Sequence, residues 1–194
     1  MFDIARQIYE KVLGLKNDKT LTLLHNLALS EKFYARTLAG RKKVLPPESP
    51  DLFASMSDLA SVIERQGRLK EGEELFRKCY ESQKLAMGQS NPRTLAAAHN
   101  LALCYANQGR LGAGELLCQT TLNISKEHYD DDDPGTLRTL SNLAVFIDHQ
   151  GRLPEAVLLY EESLMGHKNS VGKHPVSNSL APLEGGGRVG GPPG

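Results

Sequence analysis

The sequence predicts an all-α protein, an α-solenoid of stacked antiparallel helix pairs. Three observations carry this. Gln-Gly-Arg occurs at 66–68, 108–110 and 150–152, at an interval of 42 residues each time. Ser49-Pro50, Asn91-Pro92 and Asp133-Pro134 keep that interval, as do Asp58-Leu59-Ala60, Asn100-Leu101-Ala102 and Asn142-Leu143-Ala144. Between these marks, apolar side chains recur at i, i+3, i+4 and i+7, which is one face of a helix. A fixed period of this size marks units that bury their apolar faces only by stacking on neighbours, and such arrays offer long surfaces rather than reaction centres.

Taken in order, Ile4, Ile8, Tyr9, Val12 and Leu13 predict a helix over 2–15, the second helix of an earlier unit. Thr20-Leu21 and Asn26-Leu27-Ala28 open another unit, with Leu24, Leu27 and Ala28 on its core face. Phe33, Tyr34, Thr37 and Leu38 then read as a second helix. About ten residues are missing between the two relative to the next unit, including the Gln-Gly-Arg turn. Residues 21–38 contain no glycine or proline, so a single helix over 20–43 is expected instead of a hairpin.

The regular units follow, with helices expected over 51–66, 69–87, 92–108, 111–128, 135–150 and 153–167. Ser49, Asn91 and Asp133 suit the N-cap, where a short side-chain oxygen accepts from free first-turn amides. The proline after each suits the first helical position, where an N–H is not needed. Gly67, Gly109 and Gly151 can take the left-handed conformation that ends a helix. In the first helices the core sets are Met56, Leu59, Ala60, Ile63; Ala98, Leu101, Ala102, Tyr105; and Leu140, Leu143, Ala144, Ile147. In the second helices Leu69, Gly72, Phe76, Cys79, Tyr80 matches Leu111, Gly114, Cys118, Thr121, Leu122 and Leu153, Ala156, Tyr160, Ser163, Leu164. A small residue at 72, 114 and 156 lets paired helices approach closely; glycine inside a helix costs about 1 kcal/mol relative to alanine, which close packing must offset.

His174-Pro175 falls where a further unit would open. Glu184 to Gly194 is rich in Gly and Pro and nearly devoid of apolar side chains, a composition that does not offset the entropy of folding. The chain therefore divides into degenerate N-terminal repeats (1–45), three regular units (46–168) and a disordered tail (169–194). Neither end shows a polar closing helix, which points to a fragment, a truncated product, or a protein that covers its ends by self-association.

The pattern Pro-x-Thr-Leu, Asn-Leu-Ala, Gln-Gly-Arg-Leu, then a Glu- or Ala-containing second helix, resembles the tetratricopeptide repeat (TPR). More narrowly it resembles the long repeats of kinesin light chains. Pro92 through Leu122 is the cleanest copy, and the resemblance spans residues 2–168. It implies a TPR superhelix whose first helices line a concave face, and it implies a protein or peptide partner. It does not name that partner.

Lys plus Arg equals Asp plus Glu at 23 each, so the net charge is zero. That argues against a nucleic-acid surface, which shows a clustered basic excess. No apolar run is long enough to span a bilayer, and no signal-peptide core opens the chain. Three cysteines, 79, 104 and 118, lack metal or redox spacing and fall on apolar helix faces. They read as buried structural thiols of a reducing compartment, the cytoplasm. No phosphate loop, zinc spacing or nucleophile motif appears, so neither catalysis nor a cofactor is expected. The run Asp130–Asp133 lacks the alternation and glycine of a calcium loop. It reads as a solvated connection whose last residue caps the next helix.

On the first helices, the side opposite the Leu-Ala core pair carries Ser57, Ser61, Glu64 and Arg65. In the next units it carries His99, Leu103, Ala106 and Asn107, then Arg138, Ser141, Val145, Asp148 and His149. Asp58, Asn100 and Asn142 flank it. The candidate peptide-binding set is Ser57, Asp58, Arg65, His99, Asn100, Asn107, Arg138, Asn142 and His149. The resemblance implies that asparagines here grip a peptide backbone, since one amide offers both a donor and an acceptor. Asn100 and Asn142 could equally bond neighbouring helices. Two functional classes stay open: an adaptor that holds a peptide in its groove, and a structural or regulatory segment of a larger protein, such as an NTPase, that mediates self-association.

Overall fold

The structure is a computed structural model and describes residues 18–173. Seven helices run through these residues: α1 (Asp18–Val44), α2 (Pro50–Arg65), α3 (Leu69–Met87), α4 (Pro92–Asn107), α5 (Leu111–His128), α6 (Pro134–His149) and α7 (Leu153–Lys173). Each helix packs on the next, and the first helices of successive units also touch, α2 with α4 and α4 with α6. This is the α-solenoid that the period predicts. The helix expected over 2–15 lies outside the described residues.

Pro50, Pro92 and Pro134 open their helices as the first residue. The Asn91 side chain accepts from the Arg93 amide at 2.9 Å, and Asp133 accepts from Gly135 at 2.8 Å and Thr136 at 3.2 Å. Ser49 holds the same extended N-cap backbone, but its hydroxyl makes no capping bond. Each first helix ends in one motif. The Gly109 amide donates to the Ala106 carbonyl at 2.8 Å and the Arg110 amide to Tyr105 at 2.9 Å. Gly67, Arg68, Gly151 and Arg152 repeat the pattern. These two nested bonds close the last turn only if the glycine is left-handed, and Gly67, Gly109 and Gly151 have φ of 84°, 75° and 80°.

The remaining letters of Gln-Gly-Arg join unit to unit. Gln108 Nε2 donates to the Glu73 carboxylate at 2.9 Å, and Arg110 Nη1 donates to the same oxygen at 2.9 Å. Gln66 and Arg68 converge on Glu31 at 2.9 and 2.8 Å. Gln150 and Arg152 converge on Glu115, both at 2.7 Å. Glu31, Glu73 and Glu115 keep the repeat interval, and each belongs to the second helix of the preceding unit. Glu73 also receives Arg77, whereas the Arg110 guanidinium lies 4.4 Å from the centre of the Tyr105 ring. Burial pushes the Glu73 carboxyl upward, but Gln108, Arg77 and Arg110 outweigh it and hold the group below its usual range.

This ladder sets the register of α1, a single helix as the missing turn predicts. Gln66 Nε2 reaches the Leu27 carbonyl at 3.3 Å, just as Gln108 reaches Leu69 at 3.3 Å. Residues from Leu27 onward thus occupy the place of a second helix. The Asn-Leu-Ala triplet at 26–28 does not form the core of a first helix, and Ala28 is exposed. The C-terminal boundary also differs. Helix α7 continues to Lys173, over positions 169–173 that were expected to be tail. Nothing before His174 breaks a helix, and the residue preceding Pro175 is the first to be biased out of helical geometry. Positions 174–194 lie outside the described residues.

All twelve predicted core positions of the first helices are buried, and Phe53, Leu95, Leu137 and Phe146 join them. Cys79, Cys104 and Cys118 are buried and free. Burial pushes the Cys118 thiol up to about 12; Cys104 rises to about 12 through burial and the adjoining Glu64 carboxylate. The second-helix positions are buried or half-buried in α3 and α5 but not in α7, where Leu153, Tyr160 and Leu164 are exposed because no described unit follows.

A Cβ at Gly114 would strike the Phe146 ring and stand 3.0 Å from the Ala102 carbonyl oxygen, whereas at Gly72 its nearest neighbours are 3.2–3.3 Å away. Gly114→Ala should therefore cost about 1–3 kcal/mol, Gly72→Ala less, and adding Phe146→Leu should recover part of the loss, as measured by chemical denaturation. Glu73→Ala strips three donors of their shared acceptor and should cost about 1–3 kcal/mol. Lys126→Ala, which removes an exposed pair with Glu162, should leave the unfolding midpoint unmoved.

Candidate functional site

The face formed by α2, α4 and α6 collects the predicted side chains. Their helices are held parallel by the turn motifs and the carboxylate ladder, so equivalent positions fall in rows across the face. One row is 54, 96 and 138, occupied by Ala, Ala and Arg. Another is 57, 99 and 141, occupied by Ser, His and Ser. A third is 58, 100 and 142, occupied by Asp, Asn and Asn.

Two clefts open along this face. Between α2 and α4 lies one of 410 Å³, lined by Ser57 and Asn100 together with Phe53, Ala96, Arg93 and Gln83. Between the N-terminal ends of α4 and α6 lies one of 270 Å³, lined by Arg138, Pro92, Leu95 and Tyr129. The Tyr129 hydroxyl donates to the Ser90 carbonyl at 2.7 Å and ties the two inter-unit loops together.

Ser57 is half-buried, with its hydroxyl 3.3 Å from the Cys79 sulfur. Its counterpart Ser141 lies 2.7 Å from Ser163. Hence Ser57 is engaged with its own paired helix as well as facing the cleft. His99 is also half-buried, and its Nδ1 has no hydrogen-bond partner. Burial and then the nearby Arg138 guanidinium lower its pKa from 6.5 to about 4, so it is neutral at pH 7. Asn142 is half-buried with its Nδ2 buried and unpartnered. Asp58, Arg65, Asn107, Arg138 and His149 are exposed.

The site residues do not form one cluster. Ser57 and Asn100 share the first cleft, and His99 and Arg138 interact across the α4–α6 boundary. Arg65, Asn107 and His149 stand at the far ends of α2, α4 and α6, next to the turns. Two contributors escaped the helical-wheel reading. Arg93 is in the first turn of α4, before the Leu-Ala pair that oriented the wheel. Gln83 comes from a second helix and reaches the first-helix face from below. No repeated mark pointed to Gln83, since its equivalents are Arg41, Ser125 and His167.

In the acidic run, Asp133 is the N-cap of α6, and its own amide donates to the Asp130 carbonyl at 3.0 Å. Among the described residues no three His, Cys, Asp or Glu side chains converge as a metal site. No described helix is long and apolar enough to cross a membrane.

A family model described as tetratricopeptide repeat matches residues 51–113 and 93–166. Among solved structures, a Podosopora anserina protein described as a kinesin light chain with nearly identical TPR-like repeats is 22% identical, with a TM-score of 0.65 over 78% of this chain and 72% of that one. A singly substituted form of that protein is 21% identical, with a TM-score of 0.66 over 87% and 84%. BtubC (BKLC) from P. vanneervenii is 15% identical, with a TM-score of 0.66 over 90% of this chain and 65% of that one. At these identities the likeness is one of fold. Among curated proteins, none matches the sequence significantly.

The depressed His99 pKa makes a pH prediction. Between pH 6.5 and about 4 the unfolded chain binds a proton at His99 that the folded chain does not. Stability contributed by the neutral imidazole is therefore present above pH 6.5 and is lost as pH falls through that window. His99→Gln should flatten this acid-side slope across the window, measured by denaturation at several pH values. Arg138→Ala should raise the His99 pKa in an NMR titration.

Proposed function

The chain belongs to the tetratricopeptide repeat family, and on that premise we propose that it is an adaptor that holds a peptide segment on the concave face built by α2, α4 and α6. The observation that carries this reading is that two of the candidate site residues on that face, His99 and Asn142, each keep an unsatisfied nitrogen, Nδ1 and Nδ2. Buried polar atoms are nearly always paired in folded proteins, and those that are not call for a partner. An extended or short helical peptide supplies both carbonyls and amides along its length. Asn142 would donate to a carbonyl, and neutral His99 would give or take one hydrogen bond according to its tautomer. Asn100, Asn107 and Ser57 would add main-chain contacts, with Asp58, Arg65 and Arg138 supplying charge and His149 an imidazole along the rim.

The reading is one of binding, not of catalysis. The three buried thiols suit a reducing compartment, and we place the protein in the cytoplasm on that ground. Affinity should be modest, because a short peptide covers little area and must be ordered on binding.

A second reading has its own observation. Leu153, Val157, Tyr160 and Leu164 are 57, 50, 38 and 57% exposed and follow one another along one stripe of α7. Val157 stands where earlier units carry the ladder glutamate. A second copy that covers this stripe would make the array a self-associating segment of a larger assembly.

The experiment is a pull-down with the full chain, followed by titration of the recovered peptide. Asn142→Ala and Arg138→Ala should stay folded and weaken binding at least severalfold. If both bind as well as wild type while changes on the outer face abolish binding, the groove reading fails. Sedimentation decides the second reading: a wild-type dimer that Leu164→Glu converts to monomer would support it, and a monomeric wild type would end it.

A further inference from the structure

The cleft between α2 and α4 has a floor that the repeat does not explain. Gln83 is only 6% exposed, and its Oε1 is buried with no hydrogen-bond partner. The orientation of its amide is fixed by its neighbours. The Cys79 thiol donates to the Phe53 carbonyl at 3.3 Å, which uses its single proton. The sulfur can then only accept, and Gln83 Nε2 donates to it at 3.1 Å. The oxygen end of the Gln83 amide is thus the free end. For the same reason the Ser57 hydroxyl, 3.3 Å from that sulfur, turns its hydrogen inward and leaves its lone pairs available.

The equivalent position one unit earlier is satisfied within the chain. There Arg41 Nη1 donates to Ser55 Oγ at 2.7 Å and to the Asp51 carbonyl at 3.0 Å. In the next unit Gln83 replaces Arg41, and Ala97, a wall of the cleft, replaces Ser55. A methyl group therefore faces the place where the internal partner would be. The acceptor is left for something from outside.

We propose that this cleft is a side-chain subsite for a carboxamide, the tip of a Gln or Asn in the bound segment. The proposal rests on the groove reading above for the segment, but not for the pocket itself. A carboxamide N–H₂ would donate to Gln83 Oε1 and Ser57 Oγ, and its carbonyl would accept from Asn100 or Arg93. A carboxylate brings only lone pairs to Gln83 Oε1. An ammonium is drawn to Asp51, which also lines the cleft, but it carries no lone pair for the Asn100 or Arg93 donors. An aliphatic tip fits the Phe53, Ala54 and Ala96 walls but leaves the buried oxygen unpaired. Sites built to hydrogen-bond reject analogues that lack the matching group, because their own polar atoms are then stranded.

Two measurements test this on the full chain. In the first, N-acetyl-N′-methylamides of glutamine, glutamate, lysine and norleucine are titrated while the side-chain amide resonances of Gln83 and Asn100 are followed by NMR. The glutamine probe should shift both saturably, and the other three should not. The response should vanish in Gln83→Met and in Ala54→Leu, the latter plugging the cleft from an exposed wall position without touching the core. No response to glutamine, or an equal response to norleucine, glutamate or lysine, overturns the subsite.

In the second, a phage library of random 12-residue peptides is selected on wild type and on Gln83→Met. Wild-type binders should carry Gln or Asn at one position, and that preference should fall about tenfold in the variant while the rest of the motif persists. Binders that need Arg138 and Asn142 but show no carboxamide preference would overturn the subsite and leave the groove standing. Binders that depend on the outer face would overturn the groove, and the NMR titration then decides the subsite alone.

Discussion

One carboxylate per unit holds this array together. Each second helix before α7 offers a glutamate, and the turn of the following unit delivers a glutamine amide and an arginine guanidinium to it. The same tripeptide closes the preceding helix through its left-handed glycine. Helix termination and unit stacking are therefore one event. A turn that failed to take the left-handed conformation would also withdraw both donors from the neighbouring unit. The pairs are half-exposed, so their Coulombic contribution is modest. Their weight is geometric, because they fix the rotation of each unit on the last, and the apolar core can only interdigitate at that rotation.

That fixed rotation is what lines up the first helices. Equivalent positions fall into rows because the interval never varies between Ser49 and Arg152. The rows then place His99 beside Arg138 and Ser57 opposite Asn100, residues far apart in the chain. Close approach within each pair has its own condition. Gly114 faces Phe146 of the next unit, a position held by Cys104 and Val62 in earlier units. At 114 the following ring leaves no room for a methyl. At 156, with no described unit beyond, alanine is accommodated.

The helices and their core faces were legible because they depend on local spacing, which a period exposes directly. The single helix α1 was legible from what its sequence lacks. Its register was not, because Asn26-Leu27-Ala28 repeats the letters of a first helix. Only the contact of Gln66 with Leu27 and Glu31 reveals that these residues occupy a second-helix place. The ladder glutamates do keep the repeat interval and could have been found, but a glutamate on an exposed-looking face is ordinary in any helix. The apolar stripe of α7 was read as core because the pattern alone does not say whether a neighbour exists to cover it. Ser49 has the composition and backbone of a cap yet makes no bond, a rotamer choice that sequence does not record.

The candidate site was only half legible, and the reason separates scaffold from recognition. Repeated residues are selected to do the same thing in every unit, and here that thing is stacking. Recognition must come from positions where the units differ, since a surface identical in every unit cannot distinguish one segment of a ligand from the next. The row 54, 96, 138 reads Ala, Ala, Arg, so this row leaves the first gap with methyl walls and gives the second a guanidinium. The position 41, 83, 125, 167 reads Arg, Gln, Ser, His; Arg41 is satisfied within the chain, Gln83 and Ser125 each keep a buried unpartnered oxygen, and of these two only Gln83 lines the α2–α4 cleft. A search for period finds the residues that build the groove and passes over those that would read its occupant. The departures from the repeat, which lower its sequence regularity, are where the chemistry of this surface resides.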